Sequence, residues 1–95
     1  MQGKVILVTG SAKRVGAAIC RRLHAAGAAI VLHYRSAEQE ARALHVELNA
    51  VRVNSVLCVQ ADLLNVAILP SLVADTIQYF GRLDGLVNNA SSFFP

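Results

Sequence analysis

Positions 9–16 read T-G-S-A-K-R-V-G, directly after the apolar run Val5-Ile6-Leu7-Val8. Two glycines six residues apart, with cations between them, suit the binding of an anion. The first backbone N–H groups of a helix have no intrahelical partner, and they sit at the positive end of the helix dipole. Gly10 permits the tight turn out of the strand, and Gly16 permits close approach of the following helix. In the spacing G-x-x-x-G-x-G the middle position holds Arg14. Arg14 gives up glycine's inexpensive left-handed backbone and brings a permanent cation to the mouth of the loop, while Lys13 brings a second. No Gly-Lys-Ser/Thr follows, which excludes a P-loop. The loop candidates are Gly10, Lys13, Arg14, Val15 and Gly16.

A second group, His33-Tyr34-Arg35-Ser36, follows about 20 residues on. A site for an unphosphorylated dinucleotide usually places an acid there, to bind the ribose hydroxyls. This chain has none in that stretch. A carboxylate would repel a 2′-phosphate, whereas a guanidinium and a hydroxyl bind one. Tyr34, Arg35 and Ser36 therefore predict NADP(H) over NAD(H). Asp62-Leu63 is a third group: Asp62 can accept a hydrogen bond from the adenine amino group and Leu63 can pack on the ring.

These groups need a scaffold, and the pattern supplies one. Continuous apolar runs at 4–9, 29–34, 56–60 and 83–88 read as buried strands. Between them, Val15, Ile19, Leu23 and Ala26 recur at helical spacing, with Gly27 as a stop. Ser36 is placed to cap a second helix, whose stripe is Ala37, Ala41, Leu44 and Leu48, with Glu38 and Arg42 paired on its wet side. Pro70 suits the first turn of a third helix, which carries Leu72, Val73, Ile77 and Phe80 on one face and ends at Gly81. The order β-α-β-α-β-α-β predicts an α/β fold, a Rossmann-type doubly wound parallel sheet. A fourth strand at the edge is expected to need a neighbour, so residues 1–95 read as the N-terminal portion of one NADP-binding domain.

Composition narrows the classes. The chain has 95 residues, 55% hydrophobic and 16% charged, with a net charge of +3. That balance excludes disorder and is too mild to imply nucleic acid. Cys20 and Cys58 lie far apart and read as buried free thiols of a cytoplasmic protein. No signal-peptide pattern or membrane-length apolar run is present. His24, His33 and His45 are dispersed and form no metal or triad cluster; His24 and His45 read as helix surface.

Three segments together, T-G-S-A-K-R-V-G, A-D-L and N-N-A, resemble the short-chain dehydrogenase/reductase superfamily over nearly the whole chain. Within it, Arg14, H-Y-R-S and N-N-A-S-S-F at 88–93 resemble the pteridine reductases. Most short-chain reductases read N-N-A-G where this chain has Ser91. The resemblance implies a role for each matching position. Arg14 would lie near the cofactor pyrophosphate and the substrate. Arg35 and Ser36 would hold the 2′-phosphate, and Asp62 and Leu63 the adenine. Asn89 and Ala90 would line the cofactor ribose, and Ser91 would touch cofactor and pterin. Phe93 would stack on the pterin opposite the nicotinamide. It also implies a homo-oligomer, a tetramer, acting on a pterin or dihydrofolate-type substrate.

The family's proton donor is a Tyr-x-x-x-Lys pair. Here Tyr34 is followed at i+4 by Glu38, and Tyr79 by Leu83. The chain thus offers a cofactor half-site, one wall of a substrate site and no catalytic residue. The leading expectation is an NADPH-dependent reductase when full length. The alternatives are another short-chain reductase, such as one acting on 3-oxoacyl thioesters, or a non-catalytic NADP(H)-binding module.

Overall fold

The computed structural model describes residues 1–63 and 65–89, the side chain of Val66 excepted. Four strands are present: β1 (Val5–Val8), β2 (Ala29–Tyr34), β3 (Val56–Gln60) and β4 (Gly85–Val87). Three α-helices connect them: α1 (Arg14–Ala25), α2 (Glu38–Val51) and α3 (Leu69–Phe80), the last preceded by a short 3-10 turn at Val66–Ile68. The sheet is parallel throughout, in the order β3-β2-β1-β4. This is the expected Rossmann-type doubly wound arrangement.

Alternation along the strands divides the core into two layers. Ile6, Val8, Ile30, Leu32 and Val56 pack with Ala17, Cys20, Ala41, Leu44 and Leu48 from α1 and α2. Val5, Leu7 and Val31 pack on the opposite face, with Phe80 at the end of α3 and with Leu83. The chain changes faces after β3, so β4 joins the sheet on the far side of β1. The reversal of strand order at β1 opens a crevice at the carboxyl ends of the strands, the place where such sheets bind ligands.

Several local expectations need correction. In α1 the buried residues are Gly16, Ala17, Cys20 and His24, while Val15 is 64% exposed and Ala26 lies outside the helix as its exposed C-cap. The stripe is rotated by one position because small residues, rather than branched ones, let the helix sit close to the sheet. Ser36 does not cap α2; Ala37 occupies the N-cap and supplies no side-chain bond, which leaves the Ser36 hydroxyl exposed. In α3 the buried line is Leu72 and Thr76, and Val73 and Ile77 are exposed at its flank. Thr76 is accommodated because its hydroxyl donates to Leu72 O at 2.8 Å. Cys20 is buried, but Cys58 is only partly so.

His24 is no surface residue. It is buried, with Nε2 2.7 Å from Ser55 Oγ. The Ser55 hydroxyl donates to Arg52 O, so His24 Nε2–H is the donor to Ser55. Asn49 Oδ1 accepts from the Ser55 and Val56 N–H groups at 3.0 and 3.1 Å, and the Arg52 guanidinium donates to His24 O and Ala28 O. These bonds tie α1, α2 and the entry to β3 at the amino end of the sheet. His45 is partly buried on α2.

Candidate dinucleotide-binding edge

The residues singled out by chemistry follow the ends of different strands and meet at one edge. Gly10 follows β1, Arg35 and Ser36 follow β2, Asp62 and Leu63 follow β3, and Asn89 follows β4. The loop after β1 turns through Gly10 at φ 59°. The N-cap of α1, Lys13, forms no side-chain cap, and the first turn contains no acid. The opening N–H groups of α1 therefore have no side-chain cap to compete with a phosphate.

Arg14 departs from the sequence expectation. It was expected to forgo left-handed backbone, yet its φ is 52°. The turn demands the conformation whatever residue occupies it, so the arginine adopts a geometry that its Cβ disfavours. Its side chain stands exposed beside the loop.

Gly16 has no alternative. A Cβ there would lie 2.3 Å from Gly10 O and 2.7 Å from Asn89 Nδ2. Asn89 closes this contact from β4: its Nδ2 donates to Gly10 O at 3.1 Å, and its N–H donates to Thr9 Oγ1 at 2.8 Å. The Thr9 hydroxyl in turn lies within reach of Val87 O and Asn88 Oδ1. Thr9 and Asn88 thus hold the loop against β4. Neither was singled out from sequence, although a hydroxyl closing an apolar strand is the signal that marks Thr9.

At the end of β2, Tyr34 is half-buried against the α1–α2 layer, and Arg35 and Ser36 are exposed. The Arg35 carbonyl accepts from Gln60 Nε2 at 2.8 Å, which fixes the backbone and leaves the guanidinium outward. The nearby acids of α2 are engaged: Glu38 with Arg42 and Glu40 with Lys13, each at 3.5 Å. Both pairs are exposed and weak. Asp62 is exposed. Leu63 is 7% exposed, packed with Ala61 and Leu72, so its side chain offers no open face to a ring; this corrects the expected stacking role. Ala90, Ser91 and Phe93 lie outside the described residues.

Burial pushes the Cys20 thiol up to about 11, against hydrogen bonding to Ser11 and the charge of Arg21. Cys58 is raised as well, chiefly by burial. Both shifts disfavour the thiolate. Among the described residues no group of His, Cys, Asp and Glu is placed to hold a metal, and no helix is long and apolar enough to cross a membrane. A surface depression lined by Lys4, Arg52, Asn54 and Arg82 lies at the amino ends of the strands. Its arginines are already engaged, Arg52 with backbone carbonyls and Arg82 with Asp84 at 2.6 Å.

The family model for short chain dehydrogenase matches residues 4–93. The chain belongs to the short-chain dehydrogenase family. The family's members are oxidoreductases that bind nicotinamide cofactors. Pteridine reductase 1 of Leishmania tarentolae is 44% identical over 96% of this chain and 37% of its own length. Hydroxynaphthalene reductase of Aspergillus fumigatus is 34% identical over 95% of this chain and 33% of its own. L-fucose dehydrogenase of Oryctolagus cuniculus is 38% identical over 98% of this chain and 31% of its own. The chain thus spans about a third of the length of these relatives. The expected likeness to the family, and to a pteridine reductase within it, is borne out.

Proposed function

We propose that this chain is the N-terminal, cofactor-binding portion of a cytoplasmic NADPH-dependent reductase that acts on a pterin or dihydrofolate-type substrate. The observation that carries the cofactor choice is the end of β2. Arg35 and Ser36 are exposed there, and the nearby acids Glu38 and Glu40 are each paired with a cation. A 2′-phosphate meets a guanidinium and a hydroxyl instead of a carboxylate. The start of α1, which carries no side-chain cap and no acid in its first turn, fits the pyrophosphate.

When bound, the nicotinamide supplies hydride. The residues of this chain bind and orient it: Gly10, Lys13, Arg14, Val15 and Gly16 at the pyrophosphate, Tyr34, Arg35 and Ser36 at the 2′-phosphate, Asp62 and the Leu63 backbone at the adenine. Asn89 anchors the loop, and Ala90 and Ser91 complete the ribose side. The pterin assignment rests on Arg14, Ser91 and Phe93 and on the 44% identity to a pteridine reductase. Phe93 would stack on the flat substrate and keep water from the hydride path. The proton donor would be the family's Tyr-x-x-x-Lys pair in the full-length protein, which would act as a homo-oligomer, a tetramer.

The test is NADPH oxidation by the full-length protein with dihydrobiopterin, dihydrofolate and an acetoacetyl thioester. Turnover of the first two is expected. Activity with the thioester alone would assign the protein to a different branch of the family.

A further inference from the structure

His33 stands in the middle of this edge with every polar atom engaged. It is 2% exposed. The Gly10 N–H donates to its Nδ1 at 3.0 Å. Because Nδ1 must present a lone pair, the proton sits on Nε2, which donates to Ala61 O at 2.8 Å. The main chain of the same residue holds the loop as well: His33 O accepts from Ser11 N–H at 2.9 Å and from Ser11 Oγ at 2.8 Å. One neutral ring therefore ties the turn after β1 to the residue that precedes Asp62 after β3, and it does so two residues before Arg35. Burial holds its pKa below the usual 6.5, in keeping with a ring that accepts on one side and donates on the other.

An apolar residue would fill this position in a buried strand at lower cost, since burying polar atoms is tolerated only when all are satisfied. Both strips that the ring joins belong to the proposed cofactor cleft. We infer that His33 is a positioning residue for the dinucleotide, setting the spacing between the pyrophosphate loop and the adenine strip by bridging Gly10 N–H to Ala61 O. This inference rests on the cofactor reading above. The bridge acts on parts of the site common to both cofactors, so it governs NADH and NADPH alike, unlike Arg35.

The experiment is fluorescence titration of the full-length protein with NADH and NADPH, for wild type, His33→Leu and His33→Asn, with near-UV circular dichroism as a check on folding. A long-range proton–nitrogen NMR spectrum of the wild type, recorded without cofactor, reads the ring tautomer. The expected results are the Nε2–H tautomer, a roughly tenfold loss for both cofactors in folded His33→Leu, and only partial recovery in His33→Asn, whose carbonyl can again accept from Gly10 but whose side chain is too short to reach Ala61 O. A Nδ1–H tautomer, or folded His33→Leu or His33→Asn that binds both cofactors as wild type does, overturns the inference. If the wild type binds neither cofactor, the cofactor reading itself fails, and the tautomer still decides whether the bridge exists.

Discussion

Arg14 shows how much a single position can be asked to do. The turn into α1 requires left-handed backbone at this point, and an arginine adopts it at φ 52°. A glycine would adopt the same conformation without the Cβ clash, at the cost of greater freedom in the unfolded chain. Arg14→Gly should therefore leave the fold unharmed or stabilise it, by up to about 1 kcal/mol in urea denaturation, while NADPH affinity falls. A variant that loses stability would show that the arginine side chain, and not the turn, sets the energetics here. Gly16 is the opposite case. Its neighbours are backbone and the Asn89 amide, neither of which can withdraw from a Cβ. Sequence spacing identified both glycines of the loop, but it could not show that Arg14 would keep the geometry it seemed to renounce.

At the scale of elements, the strands were the most legible features, because four continuous apolar runs separated by helical patterns leave little room for another sheet. The helix faces were less so. In α1 the spacing of branched residues pointed to Val15, but the helix packs through Gly16, Ala17 and Cys20, since close approach favours small side chains. In α3 Thr76 lies in the buried line because its hydroxyl bonds within the helix, a compensation invisible to a hydrophobicity count. His33 was passed over for a related reason: its bonds run to loops distant in sequence. The polar junction at the amino end of β3 offers a test of how elements are joined. Asn49 Oδ1 satisfies two backbone N–H groups there. Asn49→Ala leaves them without that acceptor and should cost about 1–3 kcal/mol in urea denaturation; a loss below a few tenths would show that solvent replaces the amide.

For the whole molecule, the two buried imidazoles set a pH dependence. His24 has its pKa lowered from 6.5 by burial and by the charge of Arg52, and His33 by burial against its bond to Ala61. The unfolded chain binds protons on these rings at a higher pH than the folded one does. Their contribution is therefore full above about pH 6.5 and is lost as pH falls through the depressed folded values. The melting temperature should hold steady between about pH 7 and 8 and decline below 6.5; a rise on acidification would contradict the neutral, bonded state of both rings. The sheet also leaves Leu86 of β4 and the Val73–Ile77 flank of α3 exposed, on a chain that covers about a third of its relatives' length. At the carboxyl edge of that sheet an outward Arg35 is proposed to select the phosphorylated cofactor. The most direct measurement is the affinity of the full-length protein and its Arg35→Ala variant for NADPH and NADH. A loss of about 1.5–3 kcal/mol is expected for NADPH, with NADH little changed; equal losses for both, or none for either, would contradict a 2′-phosphate role for Arg35.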